Sequence, residues 1–372
     1  MNPLCQVTIE FKTLADLKSL IDKCGAGTAI ISERFTTDIW RITGNCENAV
    51  DRGSAWISRV SANPTQASII DAIKGLNGAD VSGIIAIGGG SSIDLAKTLS
   101  AFYYLFNKKA PTVDDINSAM VNKSYASSNM TVDITAVPST SGTGSEVTKW
   151  ATVWDIDKSQ KYSIDDVSMY AKKALIIPEL TVSLPAKLTL ATALDALCHA
   201  SEAFWAKATT PIVGDIACRA VDIIMENLKP CLNDLENLHY RERLASGSVL
   251  AGIAFSQTRT TACHSISYPI TMRYGVMHGL ACALTLDPVS KINRGAFANS
   301  SLLFDIYKRH GGLKSWLDDV CSGIADLSLR SFGVGEEEIM SIAEAAFTKG
   351  RMDNNPVDLT RDEVYDILRQ VF

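Results

Sequence analysis

The sequence predicts an α/β domain with a mainly parallel sheet, followed by an all-helical domain. In the first half, short apolar runs at residues 29–32, 81–87 and 132–137 alternate with helix-compatible stretches, a pattern typical of βαβ units. From about Leu188 the chain is instead rich in Ala and Leu at helical spacing. Because Pro185 interrupts the chain between the two patterns, we predict domains at residues 1–184 and 185–372.

Composition and charge argue against several classes of protein. The net charge is −6 and no long basic run occurs, so nucleic acid is not an expected partner. The N-terminus does not have the pattern of a secretory signal, and no apolar run is long enough to cross a bilayer. The nine cysteines are scattered and form no CxxC pair, which argues against a disulfide framework and predicts a reduced, cytoplasmic protein.

Three consecutive glycines follow the second strand candidate. Gly88, Gly89, Gly90 and Ser91 lead into a helix-compatible stretch that contains Asp94. Glycines let the backbone approach a pyrophosphate closely, and the start of a helix offers unpaired N–H groups to it. The run therefore indicates a dinucleotide site, although its spacing is not GxGxxG and a tight strand-to-helix turn would look similar.

A second polar turn, residues 138–146, follows the third strand candidate. Its Ser139, Thr140 and Thr143 suit contacts to phosphate and ribose, and a helix cap would explain the same residues. Glu33 ends the first strand candidate, where a carboxylate often binds a ribose hydroxyl and disfavours the extra phosphate of NADP. A solvated loop glutamate is the alternative. The expected cofactor is NAD(H), with NADP less favoured.

A carboxylate and three histidines suggest a metal site. Asp195 and His199 lie four residues apart in a stretch without Pro or Gly, so they share one face of a predicted helix. His264 and His278 follow, which makes three of the chain's five histidines part of this pattern. A single histidine is more often structural, but three imidazoles with one carboxylate suit Fe²⁺, Zn²⁺ or another divalent ion such as Mn²⁺.

Four ordered motifs together resemble the iron-containing alcohol dehydrogenase family, whose architecture dehydroquinate synthase shares. The GGGSxxDxAK motif matches residues 88–97, P(S/T)TxGTGSE matches residues 138–146, and DAxxHxxE matches residues 195–202. The family's two later histidines, fourteen residues apart, match His264 and the His278–Gly279 pair. The resemblance implies a metal-dependent dehydrogenase acting as an aldehyde reductase.

The same resemblance implies roles for individual residues. The implied metal ligands are Asp195, His199, His264 and His278, with Fe²⁺ the first choice of metal. The glycine turn would bind the pyrophosphate, and the implied cofactor contacts elsewhere are Thr140, Thr143 and Lys161, the last near the nicotinamide ribose.

Two departures from the family pattern bear on the substrate. Tyr268 stands where many members have a second histidine, so Tyr268, water or a cofactor hydroxyl would have to move the proton. Arg259, Thr260 and Thr261 precede the third ligand, and this pattern resembles phosphonoacetaldehyde reductases and the related sulfoacetaldehyde reductases. Arginine with hydroxyls suits a tetrahedral oxyanion, with Arg273 as a second candidate. Alternatively, Arg259 pairs with a carboxylate and only supports the helix.

The expected function is NADH-linked reduction of sulfoacetaldehyde or phosphonoacetaldehyde to isethionate or 2-hydroxyethylphosphonate. The metal would act as a Lewis acid and Arg259 would hold the anionic head group. A homodimer or higher homo-oligomer is expected. The alternatives are an uncharged short-chain alcohol or lactaldehyde dehydrogenase of the same family, a dehydroquinate synthase-like lyase and a non-catalytic metal-binding protein.

Overall fold

The chain divides into two compact units. The computed structural model describes residues 4–32, 40–61, 63–76, 78–106, 109–126, 131–155 and 160–372. The first unit comprises Met1–Thr140 and Ser145–Ser183, and the second comprises Ser141–Gly144 and Leu184–Phe372. This differs from a simple division of the chain at residue 184, because four residues of the second polar turn belong to the second unit.

The first unit is an α/β domain. Its strands are β1 (Thr8–Phe11), β2 (Thr28–Ser32), β3 (Ala55–Ile57), β4 (Gly83–Gly88), β5 (Asp133–Pro138), β6 (Trp150–Asp155), β7 (Gln160–Asp165) and β8 (Lys173–Ile176). Its helices are α1 (Leu14–Asp22), α2 (Trp40–Asp51), α3 (Gln66–Gly75), α4 (Gly90–Phe106) and α5 (Val113–Val121).

Six of these strands form one parallel sheet in the order β1-β8-β5-β4-β2-β3, and β6 and β7 form a separate antiparallel pair. The inner strand β4 is buried at five of its six positions. Strands covered on both faces need continuous apolar runs, which explains the isoleucine-rich pattern in the sequence. The predicted α/β domain with a parallel sheet is confirmed.

The direction of the chain connections changes at the carboxyl ends of β2 and β4. These strands are neighbours, but the chain leaves β2 towards β3 on one side and leaves β4 towards β5 on the other. Ligands of open α/β sheets bind where connections diverge in this way. Ser32 and Gly88, the last residues of β2 and β4, mark this edge of the sheet.

A buried lysine on α4 fixes the segment that leads into β6. Lys97 Nζ donates hydrogen bonds to Thr148 O (2.7 Å), Thr148 Oγ1 (3.1 Å) and Trp150 O (2.9 Å). Asp94 Oδ2, one turn earlier on α4, accepts the Thr152 N–H at 2.9 Å. Asp94, a predicted cofactor contact, therefore also holds β6 against α4 through this oxygen.

Glu146 gives this region a pH-dependent stability. Burial raises the pKa of Glu146 from 4.5 to about 7, against the opposing effects of a backbone hydrogen bond and the Lys97 charge. An acid with a raised folded-state pKa stabilises the protein below its unfolded pKa, and this contribution is lost as pH rises towards 7. Between pH 4 and 8 the expected loss is about 3 kcal/mol.

Glu146→Gln is expected to remove this loss. Urea unfolding at pH 5 and pH 8 should show the variant gaining stability relative to the unsubstituted protein as pH rises. The exposed Asp71 supplies the control, since Asp71→Asn should leave the profile unchanged. A profile for Glu146→Gln that runs parallel to the unsubstituted protein would contradict the assignment.

Helices are the only regular secondary structure of the second unit, all of whose residues the structure describes, so the predicted all-helical domain is also confirmed. Its helices are α6 (Ala186–Trp205), α7 (Pro211–Asn233), α8 (Leu238–Thr258), α9 (Ala262–Tyr274), α10 (His278–Leu284), α11 (Leu286–Asn293), α12 (Ser300–Arg309), α13 (Leu313–Cys321), α14 (Ile339–Ala345) and α15 (Arg361–Gln370). Helix α6 is buried on nearly all sides, which requires an apolar sequence all round. Among the described helices, none has the length and apolar character to span a membrane.

Candidate metal centre and cofactor-binding turns

The four predicted metal ligands converge in the second unit. Asp195 and His199 lie on α6, His264 on α9, and His278 is the first residue of α10. The Nε2 atoms of His199, His264 and His278 lie 4.0, 3.5 and 3.9 Å from Asp195 Oδ1. Ligand atoms about 2.1 Å from one tetrahedral ion lie about 3.4 Å apart, so the three distances to Asp195 Oδ1 are close to those within a ligand set. We call these four residues the Asp195 cluster. Asp195, His264 and His278 also have ligand atoms that all lie within 4.8 Å of one another, a group that does not include His199.

Two atoms of the Asp195 cluster indicate that a cation belongs there. Asp195 and His264 are 5% and 2% exposed, and among the described residues Asp195 Oδ1 and His264 Nε2 have no hydrogen-bond partner. Buried polar atoms are rarely left without a partner, because their desolvation is then uncompensated. A divalent cation among three nitrogens and a carboxylate would satisfy both atoms, so the residues fit a metal.

The opposite edges of two imidazole rings are held by acceptors. His199 Nδ1 lies 3.3 Å from Gly142 O, and His264 Nδ1 is hydrogen-bonded to Glu202 Oε2. A ring that donates through Nδ1 directs its Nε2 lone pair at the opposite side, here towards Asp195. Burial lowers the pKa of His199 to about 4, so its imidazole is neutral and able to bind a metal.

Glu202 is a site residue to which the sequence analysis gave no role. It is fully buried, and its Oε1 accepts hydrogen bonds from Thr261 Oγ1 (2.9 Å), Cys263 N (2.8 Å) and His264 N (3.3 Å). Its available signal was its position in the DAxxHxxE motif, seven residues after Asp195 and hence on the same helix face. Glu202 orients His264.

The same network includes Thr261, a predicted substrate contact. Its hydroxyl donates to Glu202 and accepts the Trp205 Nε1–H at 2.9 Å, and the residue is fully buried. Thr261 therefore supports Glu202 through its hydroxyl. Thr260 differs, because its buried Oγ1 has no hydrogen-bond partner among the described residues.

Glycines bring the backbone segments of the metal site into close contact. A Cβ on Gly279 would overlap the Ala191 carbonyl oxygen and lie 3.0 Å from Asp195 Cβ, so only glycine lets α10 approach α6 here. A Cβ on Gly142 would lie 2.6 Å from Thr192 O, and one on Gly144 would lie 2.7 Å from Gly252 Cα. Packing against α6 and α8 therefore explains the two glycines of the second polar turn.

Tyr268 lies beside the Asp195 cluster. It follows His264 by one turn of α9, and its ring is parallel to that of His278, with centroids 5.9 Å apart and planes within 7°. The side chain is half-buried. The Tyr268 ring therefore packs against a proposed metal ligand.

Arg259 lies at the surface in an unusual backbone conformation. It follows the last residue of α8 and has φ +64° and ψ −179°, a backbone conformation that residues other than glycine rarely adopt. Its Nη1 lies 3.3 Å from the position of a Cβ on Gly350. The neighbouring Thr348 N donates to Ser265 Oγ (3.0 Å), which ties this loop to the residue after His264.

Arg273 is poorly placed for a substrate contact at the metal. It lies nine residues after His264 on α9, which is half a turn beyond two full turns, so the two side chains leave opposite sides of the helix. Its exposed guanidinium donates to Ser341 Oγ at 3.0 Å. We therefore assign Arg273 to the contact between α9 and α14.

The predicted cofactor residues of the first unit meet at one edge of the sheet. Gly88 O accepts the Ser139 N–H at 2.9 Å, and a Cβ on Gly89 would lie 3.7 Å from Thr140. Gly88 has φ +152° and a Cβ there would overlap the Ser92 hydroxyl, so the fold itself requires this glycine. A Cβ on Gly89 would make only ordinary van der Waals contacts, so the fold does not require glycine there. A glycine at this position suits a ligand that approaches the backbone closely.

The remaining predicted cofactor contacts lie in several elements of the chain. Gly90 is the first residue of α4, and Ser91 Oγ accepts the Asn63 N–H at 3.1 Å. Thr143 belongs to the second unit and is half-buried. Lys161 pairs with Trp154 in the β6–β7 ladder, while Glu33 lies outside the described residues.

Two family models cover most of the chain. The model described as iron-containing alcohol dehydrogenase matches residues 6–178, and the model for the C-terminal part of the Fe-containing alcohol dehydrogenase family matches residues 189–372. The two matches lie on the α/β part and the helical part of the chain, respectively.

Individual relatives agree with these models. The sulfoacetaldehyde reductase of Bilophila wadsworthia is 30% identical over 312 residues, which are 79% of this chain and 77% of that protein. The choline dehydrogenase of Bacillus subtilis is 28% identical over 85% of this chain and 80% of its own length. The crystal structure of sulfoacetaldehyde reductase from Bifidobacterium kashiwanohense in complex with NAD⁺ superposes with a TM-score of 0.83 at 25% identity, covering 99% of this chain and 97% of that one. The chain therefore belongs to the iron-containing alcohol dehydrogenase family and is an oxidoreductase.

Proposed function

We propose that this chain reduces a small anionic aldehyde, sulfoacetaldehyde or phosphonoacetaldehyde, to its alcohol in a metal-dependent reaction linked to NAD(H). The convergence of three imidazole nitrogens on Asp195 Oδ1 carries the assignment of the reaction class. The anionic substrate rests on Arg259 and on the similarity to two sulfoacetaldehyde reductases. We also expect the protein to be cytoplasmic and to form a homodimer or a larger homo-oligomer.

The proposed reaction needs a dinucleotide and a divalent cation. The glycine turn of the first unit would hold the pyrophosphate of NAD(H), and the Asp195 cluster of the second would hold the divalent cation, Fe²⁺ first, with Zn²⁺ and Mn²⁺ as alternatives. When bound, NADH supplies the hydride and the cation supplies the Lewis acidity that stabilises negative charge on the carbonyl oxygen.

The side chains of the chain itself bind, orient and protonate the substrate. Glu202 keeps His264 in the tautomer whose Nε2 faces Asp195. Arg259 and the Thr260 hydroxyl would hold the sulfonate or phosphonate oxygens and so fix the direction of the carbonyl group. Tyr268 would donate its phenolic proton to the oxygen that becomes the alcohol, and solvent would restore that proton.

Gly89→Val is expected to weaken NADH binding at least tenfold with little change in the fold. The branched side chain enters the space near Thr140 where we place the pyrophosphate, whereas Gly89 has no positive φ that would make substitution strained. Titration calorimetry with NADH is the measurement. Gly83→Ala, at the opposite end of β4 with its nearest neighbour at 4.0 Å, is the matched control. An unchanged NADH affinity in Gly89→Val would remove this turn from the cofactor site.

An uncharged alcohol or aldehyde is the second candidate substrate. It is favoured by the exposure of Arg259, whose guanidinium lies next to the Gly350 backbone and could serve only to brace that loop. The similarity to a choline dehydrogenase agrees with a substrate that carries no negative charge. A lyase related to dehydroquinate synthase would use the dinucleotide only transiently and would consume no NADH overall.

A substrate panel distinguishes these functions. The protein is loaded with Fe²⁺, Zn²⁺ or Mn²⁺ and assayed for steady NADH or NADPH oxidation with sulfoacetaldehyde, phosphonoacetaldehyde, lactaldehyde and butyraldehyde, and for choline oxidation with NAD⁺. We expect the highest kcat/KM for an anionic aldehyde with NADH. A higher value for an uncharged substrate or choline would overturn the substrate, and no net turnover with any of them would argue against the dehydrogenase reaction itself.

A further inference from the structure

A buried cysteine adjoins the Asp195 cluster. Cys282 follows His278 by one turn of α10, so both side chains leave the same side of the helix. Its Sγ lies 3.7 Å from His278 Nε2. One ligand atom from each of Asp195, His264, His278 and Cys282 lies within 4.8 Å of all the others, and Cys282 is fully buried.

These distances match those between donors that share one ion. With a metal–sulfur bond of about 2.3 Å and a metal–nitrogen bond of about 2.1 Å, sulfur and nitrogen on one ion lie about 3.1–3.8 Å apart at the angles of about 90–120° that occur when more than four donors bind. Two atoms of the same group, Asp195 Oδ1 and His264 Nε2, are buried and have no hydrogen-bond partner among the described residues. The thiol therefore lies at the distance of a ligand from atoms that themselves require one.

We propose that the Cys282 thiolate is a further ligand of this metal, in addition to the three histidines and Asp195; this rests on the metal site of the proposed function. On binding, the S–H proton leaves to solvent and a sulfur–metal bond forms, with no change in oxidation state. Sulfur is a softer donor than nitrogen or oxygen, so the thiolate shifts the preference of the site towards Zn²⁺ and away from Mn²⁺. It also reduces the positive charge that the ion presents to the substrate oxygen.

Cobalt substitution tests this ligand without an activity assay. The full-length protein is freed of metal, loaded anaerobically with Co²⁺, and its near-ultraviolet absorption is compared with that of Cys282→Ser and Cys263→Ala. A sulfur-to-cobalt charge-transfer band is expected in the unsubstituted protein and in Cys263→Ala, whose thiol is equally buried one residue before His264. The band should be lost in Cys282→Ser while one Co²⁺ still binds.

X-ray absorption of the Zn²⁺-loaded unsubstituted protein provides a second measurement that depends on no variant. One sulfur scatterer at about 2.3 Å is expected. Bound metal with only nitrogen and oxygen neighbours, or a charge-transfer band that survives in Cys282→Ser, would overturn the inference and leave the proposed function intact. Failure of the protein to bind Co²⁺ or Zn²⁺ at all would instead overturn the metal site on which both depend.

Discussion

Gly279→Ala is expected to abolish stoichiometric metal binding and, with it, turnover. A methyl group at this position would overlap the Ala191 carbonyl oxygen, which is backbone and cannot rotate away, so α10 has to move from α6. His278 is the preceding residue and moves with it, which separates one proposed ligand from Asp195. We expect a loss of stability of about 1–3 kcal/mol and a loss of metal affinity larger than about a hundredfold.

Metal content after dialysis, measured by mass spectrometry of the elements, is the direct test. Gly214→Ala on α7 is the matched control, because its added Cβ would meet only the Phe204 ring at 3.4 Å and a helical Gly-to-Ala change is otherwise favourable. NADH affinity should stay unchanged in both variants, since we place that site in the other unit. Full metal content in Gly279→Ala would show that His278 is not held in place by this contact.

Arg259→Gly is expected to raise stability while lowering activity on anionic aldehydes. The backbone conformation at Arg259 lies in a region that glycine adopts freely, and relief of this strain is worth about 1–3 kcal/mol. Loss of the guanidinium removes a charge-assisted hydrogen bond to the proposed head group. At about 1.5–3 kcal/mol for such a bond, kcat/KM for the anionic aldehyde should fall about tenfold to a hundredfold.

Two comparisons make this result specific. Arg259→Ala keeps the strained backbone, so it should show the same loss of activity without the gain in melting temperature. An uncharged aldehyde of similar size does not use the contact, so its kcat/KM should be unchanged in both variants. Equal losses for charged and uncharged aldehydes would mean that Arg259 only braces the loop at Gly350 and that the natural substrate need not be an anion.

Local patterns were sufficient to predict the architecture. Residues 81–87 predicted a buried parallel strand because a strand covered on both faces must be apolar at successive positions, and β4 occupies nearly that range. The spacing of Asp195 and His199 placed both side chains on one helix face, since helical periodicity is fixed by the backbone. The pairing of that helix with His264 and His278 came from family resemblance, because no local rule relates residues on different helices.

The tertiary structure alone decided which groups surround the proposed ligands. Glu202 became the partner of His264 through the contact between α6 and α9. Cys282 follows His278 by one turn of α10, but only the packing of α10 with α6 and α9 brings it within 4.8 Å of ligand atoms of Asp195 and His264. The reasons for the glycines also became clear only from the structure. Gly88 is required by its own φ and by Ser92, whereas Gly142 and Gly279 are required by backbone atoms of α6. The sequence shows where the glycines are. Which atoms would clash with a larger side chain at those positions is decided only when distant segments pack together.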